Sequence, residues 1–142
     1  MIDANYVVGL SDGEGCFYVL IHQRDKAKNP KAHVQVQSHF YIKLRDDDLA
    51  VLKKIKEFFG YGFIYFQKEK RKNHSPCYRF EINSNEDKLK LIEFFKKHPL
   101  QSPKKQRDFK ILAKVSQMII DREHFNSKGE AKIKKLKASM HR

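Results

Sequence analysis

Two periodicities take turns along this chain. From residue 16 to residue 24 the character changes at every second position. Phe17, Val19 and Ile21 fall on one side of an extended backbone, and Tyr18, Leu20, His22 and Arg24 on the other. The breaker Asn29-Pro30 interrupts this run within 25–32. Alternation resumes from His33 to Lys43: Val34, Val36, Phe40 and Ile42 form an apolar face, with Ser38 the exception, while Gln35, Gln37, His39, Tyr41 and Lys43 form a polar one. Sustained period two predicts half-buried strands. The period then lengthens. Asp46 is expected to cap a helix carrying Leu49, Leu52, Ile55 and Phe59, which Gly60 ends. A second hairpin is expected next. Ile64 and Phe66 alternate with Tyr65 and Gln67, a basic loop spans Lys68 to His74, and Tyr78, Phe80 and Ile82 alternate with Cys77, Arg79, Glu81 and Asn83. Ser84 and Asp87 resemble a capping box for a helix whose apolar positions are Leu89, Ile92 and Phe95, with Leu91 and Phe94 beside them; Pro99 stops it. Pro103 opens a further helix with Phe109, Leu112, Val115, Ile119 and Ile120. The tail from Ser127 to Arg142 reads as a lysine-rich amphipathic helix on Ile133, Leu136 and Met140.

The resulting order is helix, two strands, helix, two strands, then helices, with the strand-strand-helix unit repeated. Helices laid on one face of an antiparallel sheet give an α+β domain. One domain is expected for residues 1–142, with a core over residues 3–122 and the basic helix at 127–142. The other sheet face is left open, and its glutamine, histidine, tyrosine, arginine and lysine side chains suit base edges, with loop cations for phosphates. The expected contacts are Tyr18, Leu20, His22, Arg24, Gln35, Gln37, His39, Tyr41, Lys43, Tyr65, Gln67, Arg79 and Glu81. A strand of nine residues is roughly 30 Å long, close to the ~34 Å of one duplex turn. A two-stranded ribbon also fits a major groove about 12 Å wide.

Charge strengthens this reading. The chain carries 30 Lys+Arg against 17 Asp+Glu, a formal net charge of +13. Such an excess points to a polyanion, nucleic acid first. No stretch is long and apolar enough to span a membrane, and the N-terminus lacks a secretion signal. Cys16 and Cys77 both fall in expected strands without metal-ligand spacing, and the seven histidines are scattered. A reduced, intracellular protein is therefore expected.

The stretch Tyr6 to Phe17 breaks the pattern. Tyr6, Val7, Val8 and Leu10 surround a short helix that Asp3 can cap, and a helix apolar all round requires burial all round. Gly9 and Gly13 lie four apart on one face, where another helix backbone could approach. Glu14 follows at the helix end, where the backbone already carries partial negative charge. A carboxylate there calls for a cation.

Val7-Val8-Gly9-Leu10-Ser11-Asp12-Gly13-Glu14-Gly15 resembles the LAGLIDADG motif of homing endonucleases, and Gly15-Cys16-Phe17 continues that family's usual extension. Phe59-Gly60-Tyr61-Gly62, Pro99-Leu100, Lys104-Lys105, Glu123-His124-Phe125 and Gly129 are further landmarks, so the resemblance covers nearly the whole chain. It implies an αββαββα domain with a saddle-shaped antiparallel sheet. It implies an intron-encoded, site-specific endonuclease that cuts both strands of a pseudo-palindromic duplex and leaves short 3′ overhangs. Glu14 and the Gly13 carbonyl would hold Mg²⁺, with Mn²⁺ or Ca²⁺ as substitutes. Lys104 or Lys105 would be the active-site lysine. With one motif, the chain would act as a homodimer through Tyr6, Val7, Gly9, Leu10 and Gly13. Leu44 stands where many members carry glutamine, and Lys43 or Arg45 could substitute. The alternative is a catalytically silent relative, an RNA maturase or DNA-binding regulator. A ribosomal-type RNA-binding protein leaves the all-apolar helix and its lone acid unexplained.

Overall fold

The computed structural model describes residues 1–22 and 34–142. Arg24, His33 and the expected turn at 25–32 lie outside the described residues. Helix α1 spans Ala4–Glu14, strand β1 Gly15–His22 and strand β2 Gln35–Arg45. Helix α2 (Leu49–Phe59), β3 (Phe63–Gln67), β4 (Cys77–Ile82) and α3 (Asn85–Lys97) form the second unit. Helices α4 (Pro103–Ile120) and α5 (Ser127–Ala138) complete the order. The four strands make one antiparallel sheet in the order β1-β2-β4-β3. The expected α+β architecture is present.

Local chemistry sets the boundaries. Asp3 caps α1 by accepting from the Tyr6 N–H at 2.9 Å, Ser84 caps α3 and Ser102 caps α4. Gly60 closes α2 in the left-handed region at φ 79°. Asp46 does not cap α2: Asp46–Asp48 form a 3-10 turn, and the helix starts afterwards without a side-chain cap. Gly15 has to be glycine, because a Cβ there would lie 2.6 Å from the Ser11 carbonyl oxygen and 3.1 Å from the Phe40 ring. The chain can therefore turn from helix directly into strand.

Phe17 centres the core, with ring centroids 4.9 Å from Phe40, 5.7 Å from Phe95 and 5.8 Å from Phe109. Phe17, Phe40 and Ile82 share one cross-strand row, and Ile42, Phe80 and Ile64 the next. Helices α1, α2 and α4 cover this face. One substitution of expectation concerns α3. Leu89 is 43% exposed, and Lys88 takes the inward slot at 3%. Its ammonium donates to the Ser38 carbonyl and Oγ, both at 2.9 Å, and Ser38 Oγ lies 2.8 Å from Ser116 Oγ. The serine that interrupts the apolar face of β2 is thus the seat of a buried lysine.

Candidate nucleic-acid interface and acidic centre

The end of α1 is fastened to the start of α4. The Asp12 carboxylate accepts from the Gln101 N–H at 3.0 Å and the Ser102 N–H at 3.1 Å. Two of the backbone donors just ahead of α4 are thereby satisfied by an anion, which the helix dipole also favours there. This tether fixes the rotation of α4 and brings Lys105 across to the β1 end, where its Nζ donates to the Gly15 carbonyl. Lys104, one position earlier, is exposed, and Lys105 is half-buried. Glu14 is exposed at the last position of α1, with no hydrogen-bond or ion-pair partner among the described residues. Gly13 precedes it, and its carbonyl belongs to the helix end that lacks intrahelical partners. Gly13 and Glu14 thus immediately precede the carbonyl that Lys105 holds, whereas the Lys104 side chain forms no hydrogen bond or ion pair among the described residues. Asp12 was not singled out in the sequence; the need of the α4 N-terminus for an acceptor is the signal that could have found it.

The helix α1 is divided between two jobs. Val7, Val8 and Ser11 are buried, and Val7 is fully enclosed by its own core. Val7 is thus unavailable to a partner, which corrects its expected place at a dimer interface: its side of the helix faces the sheet. Tyr6, Gly9 and Gly13 are exposed and Leu10 is half-buried. A Cβ added at Gly9 or Gly13 would meet nothing within 4 Å. These four residues form the open strip that two facing glycines allow a second backbone to approach.

The uncovered sheet face is ordered by its register. Cys16, Tyr41, Glu81 and Phe63 make one row, and Lys43, Arg79 and Tyr65 the next. Tyr18 pairs with His39, Leu20 with Gln37, and His22 with Gln35. Gln67 pairs with Cys77. Twelve of the expected contact residues thus share one face, and Arg24 lies outside the described residues.

Many of them are already held by each other. The Arg79 guanidinium lies 3.6 Å from the Tyr41 ring centroid, a cation–π contact. The Tyr18 hydroxyl donates to Glu81 Oε1 at 3.2 Å, and the Tyr18 ring stacks on His39 at 4.8 Å. His39 Nε2 donates to Gln37 Oε1 at 3.2 Å. With the Asn83 amide turned so that its nitrogen donates, it reaches His39 Nδ1 at 2.5 Å and Glu81 Oε1 at 3.1 Å. Burial, then Glu81, pushes the Tyr18 hydroxyl above its ordinary value. Burial, then a hydrogen bond with Cys16, pushes Tyr41 up to about 12. Both stay protonated donors at neutral pH. Leu44 points to the helix-covered side, Arg45 donates to Ser75 Oγ at 3.1 Å, and Lys43 stands one residue beyond Ile42, the partner of Gly15.

The donor set at the α1 end is oxygen only, a carboxylate and a backbone carbonyl, which suits a hard divalent cation. No group of three or more His, Cys, Asp or Glu among the described residues could hold a metal alone. Two oxygens fit an ion whose remaining ligands are waters and phosphate oxygens. No helix among the described residues is long and apolar enough to cross a membrane.

Helix-to-strand entry through an acidic turn, two strand-strand-helix units and an open polar sheet face together define the LAGLIDADG fold. The family description LAGLIDADG endonuclease matches residues 7–116, and the chain belongs to this family. It is similar to two curated proteins of Neurospora crassa. It is 29% identical to Probable intron-encoded endonuclease 3 over 133 residues, covering 93% of this chain and 23% of that protein. It is 26% identical to Probable intron-encoded endonuclease 2 over 136 residues, covering 96% and 27%. The chain thus spans about a quarter of the length of these relatives. Among solved structures, the homing endonuclease I-TnaI matches with TM-score 0.83 and 34% identity over 99% of this chain and 89% of that one. The structure of I-SmaMI bound to uncleaved DNA target with calcium ions matches with TM-score 0.83 and 30% identity, over 99% of this chain and 45% of that one. LAGLIDADG meganuclease I-CpaMI bound to uncleaved DNA gives TM-score 0.85 and 27% identity over 99% and 44%.

Proposed function

We propose that this chain is an intron-encoded homing endonuclease that acts as a homodimer on double-stranded DNA. It cuts both strands of a long pseudo-palindromic site by metal-dependent hydrolysis and leaves short 3′ overhangs. The observation that carries this reading is the unpartnered Glu14 carboxylate at the end of the open glycine strip of α1, one residue before the carbonyl that Lys105 holds. Two α1 helices crossing at Gly9 and flanked by Tyr6, Leu10 and Gly13 would bring the two acids together near a dyad.

Glu14 and the Gly13 carbonyl would hold the cation, Mg²⁺ with Mn²⁺ or Ca²⁺ as substitutes. When bound, it supplies charge neutralisation at the scissile phosphate and an acidified water. The protein side of the chemistry is positioning. Lys105 holds the Gly15 carbonyl and adds positive charge beside the phosphate, and Lys104 extends that field outward. Lys43 takes the place of the glutamine that Leu44 lacks. Tyr18, Gln37, His39, Tyr41, Arg79 and Glu81 present a pre-set pattern of donors and acceptors to the major groove, flanked by Leu20, His22, Arg24, Gln35, Tyr65 and Gln67. The free Cys16 and Cys77 thiols suit a reducing, intracellular compartment.

Incubation with a library of long randomised duplexes and Mg²⁺, followed by end mapping, tests the reading. One family of double-strand ends with a short 3′ stagger is expected. Glu14→Gln abolishes the cuts, retains binding, and raises the stability of the free protein by about 0.3–1 kcal/mol through relief of the helix-end repulsion. Sedimentation should give twice the 16.9 kDa chain mass. Tight duplex binding by the unaltered chain without any cuts would favour the silent DNA-binding relative instead.

A further inference from the structure

Besides the half-buried Leu20, one side chain on the open sheet face does not share its polar chemistry. Phe63 begins β3 opposite Glu81, in the row of Tyr41 and Cys16, and is 57% exposed. Its ring centroid lies 6.3 Å from that of Tyr65, which is 45% exposed and faces Arg79. The two rings make an apolar ridge along the outer strand, directly beside the hydrogen-bonded network of β4. A phenyl ring left this open forfeits the burial that Phe17, Phe40 and Phe80 receive on the helix side of the sheet.

The ridge is continuous with the surface assigned above to the major groove, and this step rests on that assignment. A phenyl group neither donates nor accepts hydrogen bonds, so base edges offer it no polar contact. In a stacked duplex the base faces are also covered. The one apolar group that a major groove presents is the C5-methyl of thymine. We infer that Phe63, backed by the Tyr65 ring, reads a thymine methyl in each half-site, and so fixes a T·A pair where β3 meets the duplex. Arg79, Glu81 and His39 then set the adjoining pairs by hydrogen bonds, and Phe63 sets its own by burial of a methyl group.

The test uses the cleavage site recovered from the duplex library. Each thymine is replaced singly by uracil, which removes the methyl and leaves pairing intact. For the unaltered protein, uracil at one position per half-site should weaken binding about fourfold, the equivalent of ~0.8 kcal/mol for one buried carbon group. Phe63→Ala alters both protomers, so it should bind the thymine duplex about as weakly as the unaltered protein binds a duplex with uracil at that position in both half-sites, about 16-fold, and should no longer distinguish thymine from uracil there. The inference is overturned if no single uracil weakens binding, or if the sensitivity survives in Phe63→Ala. Failure of the unaltered protein to bind any duplex would instead overturn the DNA-reading assignment itself, and this inference with it.

Discussion

Replacing Lys88 by methionine should flatten the alkaline arm of the stability profile. Lys88 is 3% exposed, and burial lowers its pKa from 10.5 to about 8. Its partners are the Ser38 carbonyl oxygen and Oγ, and no carboxylate among the described residues pairs with it to offset the charge. Below pH 8 the amine is charged in both folded and unfolded chains, and the full burial cost is carried. As pH rises toward 10.5 the folded chain gives up its proton first, so the unfolded chain binds more protons and stability climbs. At ~1.36 kcal/mol per pKa unit, the gain between about pH 7 and about pH 9 is about 1.4 kcal/mol. Tyr41 and Tyr61 have hydroxyls raised to about 12 by burial, which gives the opposite slope above their ordinary value of 10.0 and leaves this window clear. In Lys88→Met the burial cost and the two donated bonds vanish together, while Ser38 keeps Ser116. Its stability near neutral pH should then stay within about 1 kcal/mol of the unaltered chain. Urea unfolding of both proteins across the window is the assay. Parallel profiles would refute the buried, unpaired ammonium.

Two further substitutions probe the site. Asp12→Ala removes the acceptor of the Gln101 and Ser102 N–H groups, and should cost about 1–3 kcal/mol in urea unfolding; cleavage should fall more than DNA binding, because Lys105 loses its fixed approach to Gly15. At Gly9 the protomer has room for a Cβ, so Gly9→Leu should leave the folded protomer at least as stable on helix propensity, by up to ~1 kcal/mol. It should nonetheless shift sedimentation toward the single-chain mass and remove cleavage. A dimer that persists in Gly9→Leu would place the partner contact elsewhere.

The legible parts of this molecule were those governed by one periodicity on one element. Alternation from Tyr18 to His22 and from Gln35 to Lys43 assigned each side chain to its face, and the same rule could have found Phe63, two residues before Tyr65 on the open side. What periodicity could not reach were pairings across distant elements. Lys88 displaces Leu89 from the inward slot because Ser38, 50 residues earlier, offers it two oxygens. The choice between Lys104 and Lys105 turns on the rotation of α4, which Asp12 sets from another helix. The inward side of Val7 was hidden for a related reason. An all-apolar helix requires cover on every side, and the sequence does not say which side its own sheet supplies. Asp46 failed as a cap because three consecutive aspartates close into a 3-10 turn before the helix begins.

The bond between Asp12 and the head of α4 also has a mechanical side. In the proposed homodimer, acid and lysine ride on one rigid block in each protomer, and the two blocks touch only along the glycine strip. The stagger between the two nicks would then be dictated by how the paired helices mesh, and not by the DNA sequence. Altered targets would change how often the enzyme cuts while leaving the length of the overhang untouched.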